Sequence, residues 1–214
     1  MRLFIVRHGE TVWNAEGRFQ GQIDTDLNEK GLSQAEGVAA YLKGHPFESI
    51  ISSTLSRAHV TAQKIAAACN IASVRVVPQF TEINHGEWEG CLADGIRAQW
   101  PDMLDTWHAE PHTVTMPGKG GENLQQIYDR VVPALSALEN ELSGDVCLVA
   151  HDAVIKVMLC YWLEAPLSSF WRFQVGNCSL SIVNLEKGKP PRIPLFGYTG
   201  FLDTGFSQPE QKGL

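Results

Sequence analysis

The stretch that decides the fold lies at the N-terminus and reads Leu3-Phe4-Ile5-Val6-Arg7-His8-Gly9-Glu10. Residues 3–6 are apolar, and a short apolar run that stops at polar residues predicts a buried strand. Arg7 and His8 follow it directly, although a protein core has no packing reason to contain either side chain. In open α/β sheets, ligands bind just beyond the carboxyl ends of the strands. We therefore expect Arg7 and His8 to belong to a binding site at a sheet edge.

Short apolar runs followed by polar, titratable side chains recur along the chain. Besides residues 3–6, the runs cover residues 49–53, 74–78 and 146–149, and a further strand pattern covers residues 179–185. Stretches with helical periodicity separate them, at residues 32–42, 57–69, 124–142 and 153–163. This alternation predicts βαβ units and a mainly parallel sheet. We expect an α/β fold, a three-layer α/β/α sandwich whose strand ends meet at one edge.

Composition and charge limit the class of protein. A chain of 214 residues that is 44% hydrophobic can bury one core, so residues 1–214 are expected to form a single domain. The formal charge of -7 argues against a nucleic-acid partner. No apolar stretch approaches the roughly 18 residues of a membrane span, so no membrane partner is expected. The five cysteines show no C-x-x-C spacing, which predicts free thiols in a reducing cytoplasm.

Two segments interrupt the alternation of strands and helices. The segment near residues 87–121 is rich in Trp, Pro, Gly and His, and is expected to be an insertion over the active site, with an ordinary packed loop as the alternative. The segment near residues 187–214 is rich in Pro and Gly. It is expected to be a C-terminal arm, either disordered or held on the surface by Phe196, Tyr198, Phe201 and Phe206. Homodimerisation through an edge strand or this arm is left open.

The side chains that follow the apolar runs form a set suited to a phosphate ester. Two arginines, Arg7 and Arg57, are present, and each guanidinium group can bind two phosphate oxygens at once. A neutral histidine such as His8 attacks phosphorus, and the carboxyl group of Glu82 protonates the leaving oxygen. His151 follows the fourth run and reaches the same edge if the strands are parallel. The residues therefore indicate phosphoryl transfer.

Six short motifs occur in order between residue 3 and about residue 160. They are Arg7-His8-Gly9-Glu10-Thr11-x-x-Asn14, Gly17-Arg18-x-Gln20-Gly21, Ser52-Ser53-x-x-Ser56-Arg57-Ala58, Glu82-Ile83-Asn84-His85-Gly86-Glu87-Trp88-Glu89-Gly90, Gly120-Gly121-Glu122-Asn123 and Val149-Ala150-His151. Together these motifs resemble the histidine phosphatase superfamily, the phosphoglycerate-mutase-like group. The match is far more specific than the Arg-His-Gly string alone.

The resemblance implies a phosphoglycerate-mutase-like fold and a role for each motif residue. His8 is expected to be the nucleophile that becomes phosphohistidine. Glu82 is expected to protonate the leaving alkoxide and then to deprotonate the water that hydrolyses phospho-His8. The expected phosphate ligands are Arg7, Arg57, His151 and Asn14, and the expected substrate-binding residues are Gln20, Gly21 and His85. No metal ion or other cofactor is expected, because the arginines neutralise the phosphate.

One residue departs from the family's pattern. Asp152 follows the last motif histidine, where the family usually has a small or neutral residue. A carboxylate that faced the pocket would repel phosphate and raise the pKa of His151. We expect Asp152 instead to cap a helix that begins at Ala153, since a carboxylate is favourable at a helix N-terminus.

The leading hypothesis is a metal-independent phosphomonoesterase that acts on a small phosphorylated metabolite. L-Phosphoserine is the expected substrate, because the imidazole of His85, three residues after Glu82, suits a substrate carboxylate near the leaving group. Sugar phosphates and α-ribazole phosphate are alternatives, and so is a cofactor-dependent phosphoglycerate mutase. Such mutases carry a cationic cluster after the acidic motif, which residues 89–95 lack. A non-catalytic phosphate-binding protein is disfavoured, because His8, Glu82 and both arginines are present.

Overall fold

A computed structural model describes residues 1–202 of the chain. The strands are β1 (Arg2–Arg7), β2 (Ser49–Ser52), β3 (Arg75–Val76), β4 (Val146–Ala150), β5 (Leu180–Asn184) and β6 (Arg192–Tyr198). The helices are α1 (Val12–Glu16), α2 (Glu29–Tyr41), α3 (Ser56–Ala68), α4 (Ala93–Gln99), α5 (Pro101–Ala109), α6 (Leu124–Glu141) and α7 (Asp152–Trp162). Short 3-10 turns lie at Pro78–Phe80, Gly86–Trp88, Pro111–Thr113 and Leu167–Arg172. Within residues 1–202, no helix is long and apolar enough to cross a bilayer.

The six strands form one sheet in the order β3-β2-β4-β1-β5-β6. The first four strands along the chain run parallel, and Ile5 of β1 pairs with Leu148 of β4. β5 runs antiparallel to β1, and β6 runs antiparallel to β5. The predicted α/β fold with a mainly parallel sheet is confirmed.

Alternate side chains of the central strands enter two separate cores. In β1, Leu3 and Ile5 belong to one apolar cluster, whereas Phe4 and Val6 belong to the other. Successive residues of a strand face opposite sides of a sheet, so a wholly apolar strand needs cover on both faces. Buried residues of α6 and α7 complete the first cluster, and those of α2 and α3 complete the second. These helices are the outer layers of the sandwich.

The helix predicted at residues 124–142 is α6, and its N-terminus is held by a capping box. The Asn123 side chain accepts a hydrogen bond from the Gln126 backbone at 2.9 Å, and the Gln126 side chain accepts one from the Asn123 backbone at 2.9 Å. Pro133 lies inside the helix without ending it. One face of the helix is buried, at Leu124, Ile127, Val131, Leu135 and Leu138.

β6 is a strand that the sequence does not predict. Pro190, Pro191 and Pro194 hide its pattern, and this region was expected to be part of an arm. An edge strand tolerates proline because one side of its backbone needs no partner. Phe201 stacks on Tyr41 with 4.9 Å between ring centroids. Of the other three predicted aromatic anchors, Phe196 contacts Phe173 and Tyr198 contacts Tyr41, whereas Phe206 lies in residues 203–214, outside the described part of the chain.

The segment at residues 87–121 contains α4 and α5. Trp107 of α5 is buried in the first core, and its carbonyl oxygen accepts a hydrogen bond from Trp171 Nε1 at 2.6 Å. The ring of Trp107 also lies edge-on to that of His85, with 6.2 Å between centroids. The segment therefore packs against both the turn at Leu167–Arg172 and the loop that carries His85.

Candidate active site

The carboxyl ends of β1 and β4 bring the two motif histidines together. His8 follows β1 and His151 follows β4, and the His8 backbone N–H donates to the Ala150 carbonyl at 3.1 Å. Because the strands are parallel neighbours, the two rings lie side by side with 5.1 Å between centroids. Arg7 and Arg57 are close enough to both rings to influence their charge.

The environment of His8 selects the form of its imidazole ring. His8 Nδ1 lies 2.7 Å from the Gly9 carbonyl oxygen, which can only accept a hydrogen bond. Nδ1 therefore carries the hydrogen and Nε2 keeps its lone pair. Burial lowers the pKa of His8 well below its usual range, and the charges of Arg57 and Arg7 lower it further. A neutral ring with an available Nε2 is the nucleophilic form of histidine.

Both arginines are held by backbone carbonyl groups, and the buried Nε donor of each has no partner in the described part of the chain. Arg7 Nη1 donates to the Val175 carbonyl at 2.5 Å, and the terminal nitrogens of Arg57 donate to those of Ile23 and Gly21 at 3.0 and 2.7 Å. The Nε atoms of Arg7 and Arg57 are buried and have no hydrogen-bond partner among residues 1–202. A buried donor without a partner costs folding free energy, so the two unpaired Nε atoms indicate a site for an anionic ligand. Burial lowers the pKa of Arg57 to about 10, so it is charged at neutral pH.

Glu82 is a buried carboxyl group at the same sheet edge. Its Oε1 accepts a hydrogen bond from the Ile83 backbone at 2.9 Å, and its Oε2 accepts one from the Ala153 backbone at 3.4 Å. Burial raises the pKa of Glu82, as does the charge of Asp152, and this outweighs the opposite effect of the arginines. A carboxyl group that keeps its proton closer to neutral pH is suited to general acid catalysis.

His151 has one occupied and one unoccupied ring nitrogen. Its Nε2 lies 2.6 Å from Ser53 Oγ, which also accepts a hydrogen bond from the Leu55 backbone at 3.2 Å. Its Nδ1 is buried and without a partner in the described part of the chain. Burial, followed by the charges of Arg57 and His8, lowers the pKa of His151 well below its usual range. The ring is therefore neutral.

The family model of the histidine phosphatase superfamily (branch 1) matches residues 3–196. The chain belongs to this superfamily. The resemblance inferred from the motifs is thereby confirmed.

Similar proteins include several with phosphatase names, which confirms the prediction that this chain is a phosphatase. Others, at 32% and 33% identity, are named phosphoglycerate mutase-like protein 4 (Arabidopsis thaliana) and probable phosphoglycerate mutase (Yersinia pestis). The chain is 36% identical over 188 residues to phosphoserine phosphatase 1 of Hydrogenobacter thermophilus, a match that covers 87% of this chain and 88% of that protein. It is 33% identical over 211 residues to a metal-independent phosphoserine phosphatase of Arabidopsis thaliana, covering 95% and 87%. The structure of a mycobacterial glucosyl-3-phosphoglycerate phosphatase superimposes with a TM-score of 0.83 at 29% identity, covering 92% of this chain and 99% of the other.

In this histidine phosphatase, Gly21 and Glu89 shape the loop that holds Arg57. Gly21 has a φ of +59°, and a Cβ there would lie 2.0 Å from Glu89 Oε1. The Glu89 carboxylate accepts hydrogen bonds at 2.7, 3.0 and 3.1 Å from the backbones of Gln22, Ile23 and His85. Gly21 thus acts through its backbone. Glu89 belongs to the motif of residues 82–90, but the motif alone does not indicate this role.

Asn14 and Gln20, two further predicted site residues, are held by hydrogen bonds to neighbouring groups. Asn14 Oδ1 accepts hydrogen bonds from the Thr11 backbone at 3.2 Å and Asn177 Nδ2 at 3.3 Å, so only its amide nitrogen can contact a phosphate. Gln20 is buried, and its Oε1 accepts a hydrogen bond from Thr25 Oγ1 at 2.5 Å. Asn177 also donates to the His8 carbonyl at 3.0 Å and was not predicted.

His85 is buried, and its charge state follows from that burial. Burial lowers the pKa of His85 to about 3, although the Asp152 charge opposes this effect. Its Nδ1 is buried and finds no partner within residues 1–202. At neutral pH, His85 can therefore bind a substrate by hydrogen bonding but not through a positive charge.

An Arg130–Glu122 pair holds the loop that carries Glu82, and the sequence analysis missed it. Arg130 donates to Glu122 Oε1 at 2.9 Å, and its other nitrogens donate at 2.6, 2.7 and 3.1 Å to the carbonyls of Gln79, Thr81 and Glu82. Glu122 Oε2 accepts a hydrogen bond from the Asn84 backbone at 2.9 Å. We call this pair the Arg130–Glu122 clamp. Glu122 lies just before α6 and Arg130 lies within it, so no helical spacing in the sequence links the two residues.

The expectation that Asp152 caps a helix starting at Ala153 is wrong. The helix α7 begins at Asp152, its N-cap is His151, and no side chain caps it. Asp152 Oδ1 lies 3.5 Å from Arg7 Nη1 and its Oδ2 lies 2.7 Å from Lys156 Nζ. Two buried cations attract the carboxylate, while the Ala153 backbone N–H at this helix end donates to Glu82 instead. Asp152 consequently influences Glu82 and His85, and not His151 as considered above.

Proposed function

We propose that this chain is a metal-independent phosphomonoesterase that hydrolyses L-phosphoserine through a phosphohistidine at His8. The observation that carries the proposal is the form of His8: a buried neutral ring with Nδ1–H donated to Gly9 and Nε2 available. Arg7 and Arg57, each with an unused buried donor, flank it. This arrangement suits attack on a phosphate dianion.

The first half of the reaction transfers the phosphoryl group to His8. Arg7 and Arg57 bind the phosphoryl oxygens, and His151 and Asn14 add neutral donors. The bond from His8 Nε2 to phosphorus forms as the bond from phosphorus to the ester oxygen breaks. Glu82 gives its proton to that oxygen. The positive charge that develops on the imidazole ring is stabilised by the Gly9 carbonyl, which accepts from Nδ1–H at 2.7 Å.

The second half of the reaction regenerates the enzyme. The Glu82 carboxylate takes a proton from water, whose oxygen bonds to phosphorus as the bond from Nε2 breaks. Inorganic phosphate leaves, and Glu82 is again protonated. The two arginine charges match the two charges of the ester, which supports a reaction without a metal ion.

L-Phosphoserine is supported by His85 and by the names of two relatives. A neutral imidazole N–H at His85 can donate to the substrate carboxylate on the leaving-group side of Glu82. Two relatives, at 36% and 33% identity, are named phosphoserine phosphatases. The insertion at residues 87–121 then covers the site through Trp107, whose ring meets His85. The five free cysteines support a cytoplasmic location.

The test is a kcat/KM panel over L-phosphoserine, 3-phosphoglycerate, sugar phosphates and α-ribazole phosphate, in excess EDTA and with a phosphoglycerate mutase assay. We expect L-phosphoserine to have the highest kcat/KM, EDTA to have no effect, and mutase turnover to be absent. His8→Ala should abolish turnover and the phosphohistidine detected by mass spectrometry while the protein stays folded. A His8→Ala variant with near-wild-type activity would contradict the mechanism, and another preferred ester would contradict only the substrate.

A further inference from the structure

A buried row of charges connects Arg7 to the aromatic turn at Leu167–Arg172. Asp152 lies between two cations, with Oδ1 3.5 Å from Arg7 Nη1 and Oδ2 2.7 Å from Lys156 Nζ. The Lys156 contact is an ion pair whose angles do not meet the geometry of a hydrogen bond. Lys156 Nζ lies 4.5 Å from the ring centroid of Trp171 and 4.8 Å from that of Phe170. The three charged side chains are 3–5% exposed. The two aromatic rings thus restrain Lys156, and Lys156 restrains Asp152.

The same residue adjoins the general acid. Asp152 is the first residue of α7, and the next backbone N–H, that of Ala153, donates to Glu82 Oε2. The Asp152 side chain caps no backbone group of α7. Burying three charges costs free energy that apolar residues would not cost. A role in the chemistry accounts for that cost.

We propose that Asp152, held by Lys156, is a positioning residue that orients Arg7 toward the phosphate and places a negative charge beside the general acid Glu82. This inference rests on the proposed function. It adds to the mechanism two residues, Asp152 and Lys156, that the motifs do not contain.

The balance between the protonated and the ionised form of Glu82 depends on the charges around it, including that of Asp152. Burial and Asp152 from α7 favour the acid, whereas the Ile83 backbone hydrogen bond, Arg57 from α3 and Arg7 from β1 favour the carboxylate, and the outcome is a raised pKa of Glu82. Arg130 from α6 is a further cation at this loop and donates to the Glu82 carbonyl. Asp152 and Lys156 cancel each other, which leaves the two arginines to match the dianionic ester. Without the Asp152 charge, the arginines act on Glu82 with less opposition, and Glu82 loses its proton at a lower pH.

The experiment compares Asp152→Asn, Lys156→Met and the double variant by the pH dependence of kcat/KM. The substrates are the best alkyl phosphate of the panel and p-nitrophenyl phosphate, whose phenolate leaves without a proton. For the alkyl ester, kcat/KM falls at high pH as Glu82 loses its proton, and Asp152→Asn should move this basic limb of the pH profile about one pH unit lower. Lys156→Met should move it higher, because the Asp152 charge is then uncompensated, and the double variant should return toward wild type. For p-nitrophenyl phosphate, the limb should move far less.

Asp102→Asn is the matched control, since Asp102 is an exposed carboxylate in the first turn of α5 and should shift nothing. An unshifted basic limb in folded Asp152→Asn overturns the inference, and so does an equal loss with both substrates at every pH. If Asp152→Asn does not fold, Lys156→Met decides, because only the proposed role predicts a shift of the opposite sign. Wild-type protein that hydrolyses neither ester overturns the proposed function together with this inference. Wild-type activity with unshifted variants overturns the inference alone.

Discussion

At the scale of single residues, the chemistry depends on where protons reside. His8 is useful as a nucleophile only if Nε2 is free, and the Gly9 carbonyl ensures this by accepting from Nδ1. Glu82 is useful as an acid only if it is protonated, and burial with Asp152 favours that form. Neighbouring residues thus select one form for each of two ordinary side chains.

The acid role of Glu82 predicts a dependence on the leaving group. Glu82→Gln should lower kcat/KM by about two to three orders of magnitude for an alkyl phosphate, and by less than about tenfold for p-nitrophenyl phosphate. The reason is that glutamine has no proton to give, while the phenolate needs none. Steady-state kinetics with both esters at one pH measure the difference. Equal losses would exclude general acid catalysis by Glu82.

At the scale of elements, α6 positions the loop that carries Glu82, although the two are far apart in the sequence. The Arg130–Glu122 clamp binds three carbonyl groups on one side of that loop and one backbone N–H on the other. Since Glu82 lies between those contacts, its distance from the leaving oxygen depends on the helix. The clamp is half-buried, so its loss leaves polar groups without partners.

The clamp predicts a joint loss of stability and of acid catalysis. Arg130→Met should lower the free energy of unfolding by about 1–3 kcal/mol and reduce kcat for alkyl esters more than for p-nitrophenyl phosphate. Urea unfolding and kinetics with both esters measure these effects. Glu141→Gln is the control, because it removes an exposed arginine–glutamate pair at the other end of α6 and should cost less than about 1 kcal/mol. Similar results for both variants would show that the clamp holds nothing in place.

At the scale of the whole molecule, three histidines of the site are buried and uncharged. Burial and the arginines lower the pKa values of His8 and His151, and burial lowers that of His85 to about 3. The unfolded chain therefore binds more protons than the folded chain below the usual histidine pKa of 6.5. Glu82 acts in the opposite sense because its pKa is raised, but it is one group against three.

This balance predicts that the protein loses stability on acidification. The contribution of neutral His85 is fully present above about pH 6.5 and decreases toward pH 3, by about 2 kcal/mol at pH 5, and neutral His8 and His151 act in the same direction. Urea midpoints measured between pH 7.5 and pH 5 should fall. His85→Phe should flatten the decrease, whereas His112→Gln, at an exposed histidine, should not change it. A midpoint independent of pH would contradict buried neutral histidines.

The alternation of strands and helices was predictable from the sequence, because apolar periodicity acts over a few neighbouring residues. β6 was not predictable, since prolines hide its pattern and only its place at the sheet edge permits them. The polar residues after each apolar run were also visible, and the parallel sheet brings them to one edge. Their roles in the reaction remain proposals.

The sequence by itself determined which chemical groups stand at the strand ends and to which superfamily they belong, because both are encoded in local order and spacing. Only the tertiary structure decided their protonation and their partners. Asp152 illustrates the difference: its position suggests a helix cap, yet Arg7 from β1 and Lys156 capture its carboxylate. Burial and charge act between residues that are distant in the chain, so no local pattern of residues reveals them.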